Sequence, residues 1–369
     1  MEKNIFKAII TGATRTILKR ADGQSKFDNM EYRMLQAADE SGTVYRSLLK
    51  RPKTCDGQVL HEKETGVLKK SAIVMQGQLV AQDHFTVETV RMYHKLYPGA
   101  LIIVSTWEDE NEEIIQELRK QENCVVVLNK YPEFSGLLNL NYQITTAMAG
   151  LRQAKALGRE YVMKTRCDYR FYKKGMLDYL YCLLQDYPVD PSISYQQYRI
   201  VAGGELMNSM YRPFWLADQF NYGYVDDMLL YWDYEMKDMK LNRQQVFEQL
   251  EKEHLTWNQR TERHLAAEPE IVLDYFRRTE KRVPELSVKS YWERIRKQFI
   301  MVSRRELEFY WIKYTDKYDE ARSTGTYYED DRNEICLNYN WDFSQWLLLY
   351  RGLLEYDKAY ERFSNENRY

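Results

Sequence analysis

The spacing of apolar positions changes character near residue 71. Upstream, residues 1–70 are polar, poor in proline and read as helical. Ile5, Phe6, Ile9, Ile10, Ile17 and Leu18 stand among Lys7, Arg15, Lys19 and Arg20. This short basic amphipathic pattern suits an anionic membrane surface or a helix packed on the main domain. Gly12 and three threonines weaken the helix and favour packing. Downstream, short apolar runs alternate with segments of helical period. The runs Ala72–Met75, Leu101–Val104, Val125–Leu128 and Tyr161–Met163 each predict a strand buried on both faces. Between them, Val87, Val90, Tyr93 and Tyr97 predict a helix over 86–97, and Ile114, Ile115 and Leu118 one over 111–122. Ile144, Met148, Leu151 and Leu157 predict a third over 141–157, stopped by Gly158. This alternation predicts an α/β fold with a mainly parallel, Rossmann-like sheet flanked by helices. Farther on, the pattern predicts a strand over Ile193–Val201, a helix from Pro213 and a mostly helical, aromatic region over 225–320. Within that region Glu268-Pro269-Glu270 opens a helix, and an amphipathic helix near Trp341–Phe363 closes the chain.

Composition narrows the partners. With 369 residues the chain makes one large domain or two modest ones. Its 53 Lys+Arg nearly balance 55 Asp+Glu, without a basic block, so no nucleic acid polymer is expected as a partner. The 31 tyrosines and 8 tryptophans supply flat amphipathic rings that stack on sugars, and they serve equally as core filler. Five cysteines, odd in number and without a CxxC pair, predict neither a zinc site nor a disulfide framework. They fit a reducing, cytoplasmic location. No signal-peptide core and no apolar run near 18 residues is present, so no membrane span is expected.

In open α/β sheets ligands sit beyond the carboxyl ends of the strands, so the residues after each run are the candidates. After the first come Gln76-Gly77-Gln78: a glycine that admits close backbone approach between two amides. Neither GxGxxG nor GxxxxGK[ST] is present, so dinucleotide and P-loop fingerprints are missing. After the second come Ser105-Thr106-Trp107-Glu108-Asp109-Glu110. Helix capping accounts for Asp109 or Glu110 there, and less well for Trp107. The third leads to Asn139, Asn141 and Gln143, amides that open a helix and suit a ribose, base or sugar hydroxyl, one of them also serving as a cap. After the fourth come Lys164-Thr165-Arg166-Cys167-Asp168-Tyr169-Arg170. Strand alternation would point Lys164, Arg166, Asp168 and Arg170 to one side. Such a cluster suits a diphosphate, and reads equally as a mutually paired salt-bridge network.

These four segments, in this order, resemble the WavE family of lipopolysaccharide-synthesis proteins, glycosyltransferases of bacterial surface polysaccharides. The family pattern reads roughly QGP or QGx, STWxxE, NxNxQI and KTRxDxR, and here Gln78 stands where proline is common. The resemblance covers residues 71 to about 235 and continues through Leu216–Gly223. It implies a GT-A-like α/β fold with an acceptor region following. The expected layout is a helical N-terminal extension (1–70), a nucleotide-sugar-binding core with the start of the acceptor region (71–235), and a mostly helical acceptor and C-terminal region (236–369).

The resemblance further implies a nucleotide-sugar donor and a glycan or lipid-linked glycan acceptor. Gln76, Gly77, Gln78, Thr106, Glu108, Asn139, Asn141, Gln143, Lys164, Arg166, Asp168 and Arg170 would then line the donor site. Enzymes of this fold usually hold the diphosphate through Asp-x-Asp and a divalent metal. Here the segment is Asp168-Tyr169-Arg170, which leaves Mg or Mn on Asp168 open and makes direct neutralisation by arginine the alternative. For the proton of the acceptor hydroxyl the candidates are Asp218 and Glu205, ranked equally. The location expected is cytoplasmic, with peripheral inner-membrane contact through residues 1–20 as an option. The competing readings are a non-catalytic carbohydrate- or nucleotide-binding module of a polysaccharide assembly complex, and a phosphotransferase or nucleotidyltransferase on the same strand ends.

Overall fold

The computed structural model describes residues 11–20, 22–41, 50–56, 62–204, 209–237, 243–303, 305–313 and 340–365. The chain divides into two compact units, Met1–Arg51 and Pro52–Tyr369. In the first, the described residues are helical at 11–18 and again in α1 (Gly23–Ser41). Lys50 reaches back to Asp28 at 2.6 Å and Glu31 at 3.1 Å. Ile5, Phe6, Lys7, Ile9 and Ile10 of the basic amphipathic pattern lie outside the described residues.

The second unit is built on a seven-stranded sheet. Its strands are β1 (Ser71–Gln76), β2 (Leu101–Trp107), β3 (Cys124–Asn129), β4 (Tyr161–Arg166), β6 (Ile200–Gly204), β7 (Phe220–Tyr224) and β8 (Phe299–Ser303). They lie in the order β3-β2-β1-β4-β7-β6-β8. Within this sheet only β7 runs against its neighbours; the β3-β2-β1-β4 block and the β6–β8 pair are parallel. A separate two-stranded ribbon joins β5 (Tyr169–Phe171) to β9 (Phe309–Trp311). The fold is therefore the mixed, mostly parallel Rossmann-like sheet that the alternation of patterns and the resemblance both imply.

The four apolar runs all become strands. β1 and β2 are buried along their whole length, whereas β3 is only half-buried because it forms the sheet's edge. The three predicted helices form as α2 (Phe85–Leu96), α3 (Glu112–Arg119) and α4 (Leu140–Ala156), the last ending before Gly158 at φ +69°. α4 lies tightly on the sheet because residue 150 is glycine: a Cβ there would overlap Val74 Cγ1. Farther along are α5 (Met176–Asp186), α6 (Val225–Trp232), α7 (Ala267–Glu280), α8 (Val288–Gln298) and α9 (Phe343–Tyr350).

Three expectations for the later chain are corrected. The strand predicted from Ile193 begins only at Ile200, because residues 193–199 form an irregular, bent loop whose side chains stitch to neighbouring backbone, as Gln196 does to the Gln298 carbonyl. No helix starts at Pro213: residues 211–219 are turn and loop leading into β7. Among the described residues the region 225–320 is mostly helical, as expected, and Phe299–Ser303 adds a strand beside β6. The closing helix stops at Tyr350, and a short helix at Glu361–Ser364 follows only after a break at Gly352, φ +70°. No helix among the described residues is long and apolar enough to cross a membrane.

Candidate functional site

The carboxyl ends of β1 and β2 are tied together by one carboxylate. Glu110 Oε1 accepts from Thr106 Oγ1 at 3.2 Å and from the Leu79 N–H at 2.9 Å, and burial pushes its pKa up. Thr106 is thus buried and engaged, while Glu108 is exposed and held through its N–H on the Asn129 carbonyl, 3.0 Å away. The helix cap falls on neither Asp109 nor Glu110. Asn111 caps α3, its Oδ1 accepting from the Glu113 and Ile114 N–H groups, with Glu112 and Glu113 in the first turn. Trp107 stacks on Tyr131 with centroids 4.0 Å apart, and Tyr142 meets both edge-on.

After β1, Gln76 is 3% exposed and its Oε1 accepts from Thr146 Oγ1 on α4 at 2.6 Å, so its amide braces the sheet against the helix. Gly77 turns at φ +98° with open space where a Cβ would point, and Gln78 is exposed beside it. These two lie just beyond the carboxyl end of β1. Asn139 is exposed, in the left-handed region, and occupies the cap position of α4 without a side-chain cap bond. Asn141 is buried, its Nδ2 donating to the Phe134 and Lys237 carbonyls at 3.0 and 2.9 Å, which joins two loops and leaves it no free donor. Gln143 is half-buried with a buried Oε1 that no group among the described residues satisfies.

The segment after β4 does not follow strand alternation. β4 ends at Arg166, Cys167 and Asp168 form a turn, and β5 starts a new strand paired with β9. The two-residue period is broken, and Arg170 points elsewhere. It is 1% exposed, donating to Thr89 Oγ1 at 2.8 Å and to the Phe85 and Lys53 carbonyls at 2.9 and 2.7 Å, with Phe85 under its guanidinium. Arg170 therefore braces α2, and Arg170→Met should lower thermal stability by about 2–4 kcal/mol through the carbonyls it leaves unpaired. Thermal melts test this, and an unchanged melt would contradict the bracing role.

Lys164 is fully buried too. Its Nζ donates to the Asp218 carbonyl and lies 4.0 Å from the Trp232 ring centroid. Burial pulls its pKa down to about 7. It supports the loop that carries Asp218.

Arg166, half-buried at the end of β4, and the buried Asp168 pair. Arg166 Nε and Nη2 donate to Asp168 Oδ1 and Oδ2 at 2.9 and 3.0 Å, and Trp311 Nε1 donates to Oδ2 at 3.0 Å. Burial pushes the Asp168 carboxyl up; the charge and hydrogen bonds of Arg166 outweigh it and hold the group below the usual carboxylate range. The outer edge of the guanidinium is held less tightly: Nη1 stands 3.9 Å from Asp218 Oδ2, a buried oxygen that has no hydrogen-bond partner. A divalent cation on Asp168 would have to displace three donors. Among the described residues no group of three or more His, Cys, Asp or Glu is placed to hold one. The residues present do not fit Mg or Mn at Asp168.

Of the two proton-accepting candidates, Asp218 sits in the loop before β7 beside Arg166, and Glu205 lies outside the described residues. Asp226 and Asp227 are structural: Asp226 pairs with Lys155 at 2.6 Å, and Asp227 accepts the Gln197 and Tyr198 N–H groups. Three residues join the site unannounced by any local motif. Trp311 arrives on β9. Asn221, opposite Lys164 in the β4–β7 ladder, is fully buried with both amide atoms unsatisfied. Glu268, second residue of α7, is half-buried, and burial followed by the charge of Asp218 raises its pKa to about 7. Contact across such separations leaves no periodic signal; the sequence marked Glu268 only as part of a helix start.

The structure thus gathers Gly77, Gln78, Glu108, Asn139, Arg166, Asp168 and Asp218 at the carboxyl ends of the parallel strands, and withdraws Gln76, Thr106, Asn141, Lys164 and Arg170 into its support. Comparison with curated proteins finds no match. The model of the family described as WavE lipopolysaccharide synthesis matches residues 72–364, from β1 through the last described helix. The chain belongs to the WavE family of lipopolysaccharide synthesis.

Proposed function

We propose that the chain is a glycosyltransferase, moving a sugar from a nucleotide-sugar donor to a bacterial surface glycan of the lipopolysaccharide-core or capsule type. Membership of a lipopolysaccharide-synthesis family supplies the setting. The observation that carries the reading is the long ion pair, 3.9 Å, between Arg166 Nη1 and Asp218 Oδ2, a buried oxygen without a hydrogen bond, at the carboxyl end of β4 where the sheet reverses direction. Ligands of open α/β sheets bind at such ends.

In this reading the donor's nucleoside lies over Gly77, Gln78 and Glu108, and its diphosphate takes the open N–H groups of Arg166. Guanidinium binds phosphate bidentately and keeps its charge at any pH, so it stabilises the departing diphosphate. Asp168 fixes the guanidinium plane, and Asp218 faces the hydroxyls of the transferred sugar. Arg166 and Asp168 largely satisfy each other, which favours a second reading, a binding module without turnover.

The two readings separate on one assay. The protein is incubated with UDP-, GDP- and CMP-sugars and lipopolysaccharide fragments, and free nucleotide and glycosylated product are measured. Product from one nucleotide class, undiminished in EDTA, is the expected result. Saturable binding without product in any combination would leave the binding module, and phosphate rather than sugar in the product would indicate a phosphotransferase.

A further inference from the structure

We propose that the Tyr131 ring, seated on Trp107, is the platform on which the nucleobase of the donor stacks. The inference rests on the transferase reading and adds to it the residue that holds the base.

Helix capping leaves Trp107 unexplained, because Asn111 does that work. The fold gives Trp107 another task. It is the last residue of β2 and pairs in register with Asn129, the last residue of β3. Its indole is 3% exposed and stacks on the ring of Tyr131, two residues beyond β3, with centroids 4.0 Å and planes 16° apart. Tyr142, in the first turn of α4, meets Trp107 at 5.5 Å and Tyr131 at 5.2 Å, edge-on to both. Stacked and edge-to-face pairs of this kind gain energy beyond the area they bury, so the three rings hold the Tyr131 plane in place.

Tyr131 nevertheless remains 40% exposed. One of its faces lies on Trp107 and one edge meets Tyr142, so the exposed area belongs to the opposite face and the free edge. Among the described residues no third ring stacks on it. A ring that serves as core filler buries both faces. A flat ring fixed from below and left to solvent above is the surface on which a base stacks, and every base has a π-face to offer.

The platform stands at the same strand ends as Arg166. The Gly77 N–H donates to the Ser105 carbonyl at 3.0 Å, the Leu79 N–H to Glu110 at 2.9 Å and the Glu108 N–H to the Asn129 carbonyl at 3.0 Å. These bonds carry the exposed Gln78 and Glu108 against the ends of β2 and β3, beside the stacked rings. Arg166 ends β4, two strands from β2 in the order β3-β2-β1-β4. At about 4.8 Å per strand the ends of β2 and β4 are about 10 Å apart, and Tyr131 lies up to one strand farther. A nucleoside diphosphate laid across the strand ends covers that span, with its base on Tyr131, its ribose over Gly77 and its phosphates at Arg166. The same distance separates Tyr131 from the reacting carbon, so the acceptor's reactive sugar does not occupy the platform. Stacking is tolerant of base identity. The ring therefore supplies affinity, and the Gln78 amide, which both donates and accepts, supplies the polar contact at the base's edge.

The test titrates wild type, Tyr131→Phe, Tyr131→Leu and Tyr131→Gln, as full-length proteins, with UDP, GDP, CMP and inorganic pyrophosphate in a calorimeter, alongside thermal melts. Tyr131→Phe is expected to keep nucleotide affinity within about 2-fold, and Tyr131→Leu and Tyr131→Gln to weaken it by about 10-fold or more, with pyrophosphate affinity alike in all four. Leucine still covers Trp107, so its melting temperature should stay within a few degrees of wild type. Nucleotide affinity unchanged in both non-aromatic variants, or lost only in step with pyrophosphate affinity or melting temperature, would overturn the platform and leave the transferase reading standing. Weaker binding of lipopolysaccharide fragments with nucleotide affinity intact would also overturn it, giving the ring to the acceptor. A wild-type protein that binds no nucleotide would overturn the transferase reading and the platform with it.

Discussion

Arg166→Gln should lower turnover by about 100-fold or more while the protein stays folded. Two of the guanidinium's edges have different jobs. The inner one holds Asp168 at 2.9 and 3.0 Å, and the outer one turns to Asp218 with its Nη1 3.9 Å from Oδ2. Glutamine keeps one donor for Asp168 and removes the fixed charge from the departing diphosphate. A single lost charge-stabilising donor costs roughly that factor in acyl-transfer enzymes, and a diphosphate carries more charge than an oxyanion. The structural loss is smaller. Asp168 is buried, but glutamine keeps one donor to it and Trp311 Nε1 still holds it at 3.0 Å, so melting should fall by several degrees without unfolding the protein. Parallel melting curves and initial rates give the answer. A variant that unfolds, with activity lost only in proportion, would mean that the cluster after β4 is a structural ion pair and that the donor lies elsewhere.

Lys164→Met should produce the opposite combination: turnover reduced by at least about 10-fold, with stability unchanged or raised near neutral pH. The ammonium is fully buried, and burial pulls its pKa down to about 7 from the ordinary value of 10.5. Below pH 7 both folded and unfolded chains carry the proton, and the folded state bears the whole burial penalty. Between about 7 and 10 the unfolded chain binds more protons, so wild-type stability climbs with pH across that window. Methionine fills the same volume without the charge. The variant's advantage is therefore greatest at pH 6–7 and shrinks towards pH 10, and its melting temperature loses that rising limb. The lost activity follows from the freed Asp218 carbonyl, since the loop that presents Asp218 to Arg166 is no longer anchored. Melts from pH 6 to 9.5 and rates at one pH check both halves. A Lys164→Met protein that is strongly destabilised at pH 6 would show the ammonium to be a stabilising partner instead.

How much of this was legible depends on the range of the interaction. The strands β1, β2, β3 and β4 and the helices between them were readable because each buries a local apolar pattern, and the order of those patterns fixes a parallel sheet. β7 and β8 were not. β7 reads Phe220-Asn221-Tyr222-Gly223-Tyr224, an aromatic and amide run that resembles loop, and it becomes a strand because β4 and β6 flank it. At the site, local rules went as far as the strand end. They marked Arg166, Asp168 and Asp218, and they placed Lys164 and Arg170 on the same side because alternation was assumed to run through a turn. The turn at Cys167–Asp168 redirects Arg170 into α2, and the pairing of β4 with β7 buries Lys164. Glu268 and Trp311 come from elements whose proximity to β4 only the folded sheet creates.

The central claim, that the carboxyl end of β4 holds a nucleotide diphosphate through Arg166, meets its most direct test in calorimetric titration of wild type and Arg166→Gln with UDP, GDP, CMP and their sugar conjugates, in Mn²⁺ and then in EDTA. Saturable wild-type binding to one nucleotide, surviving EDTA and weakened about 10-fold or more in Arg166→Gln, is the result expected. Binding that vanishes in EDTA, or that Arg166→Gln leaves unchanged, would contradict it.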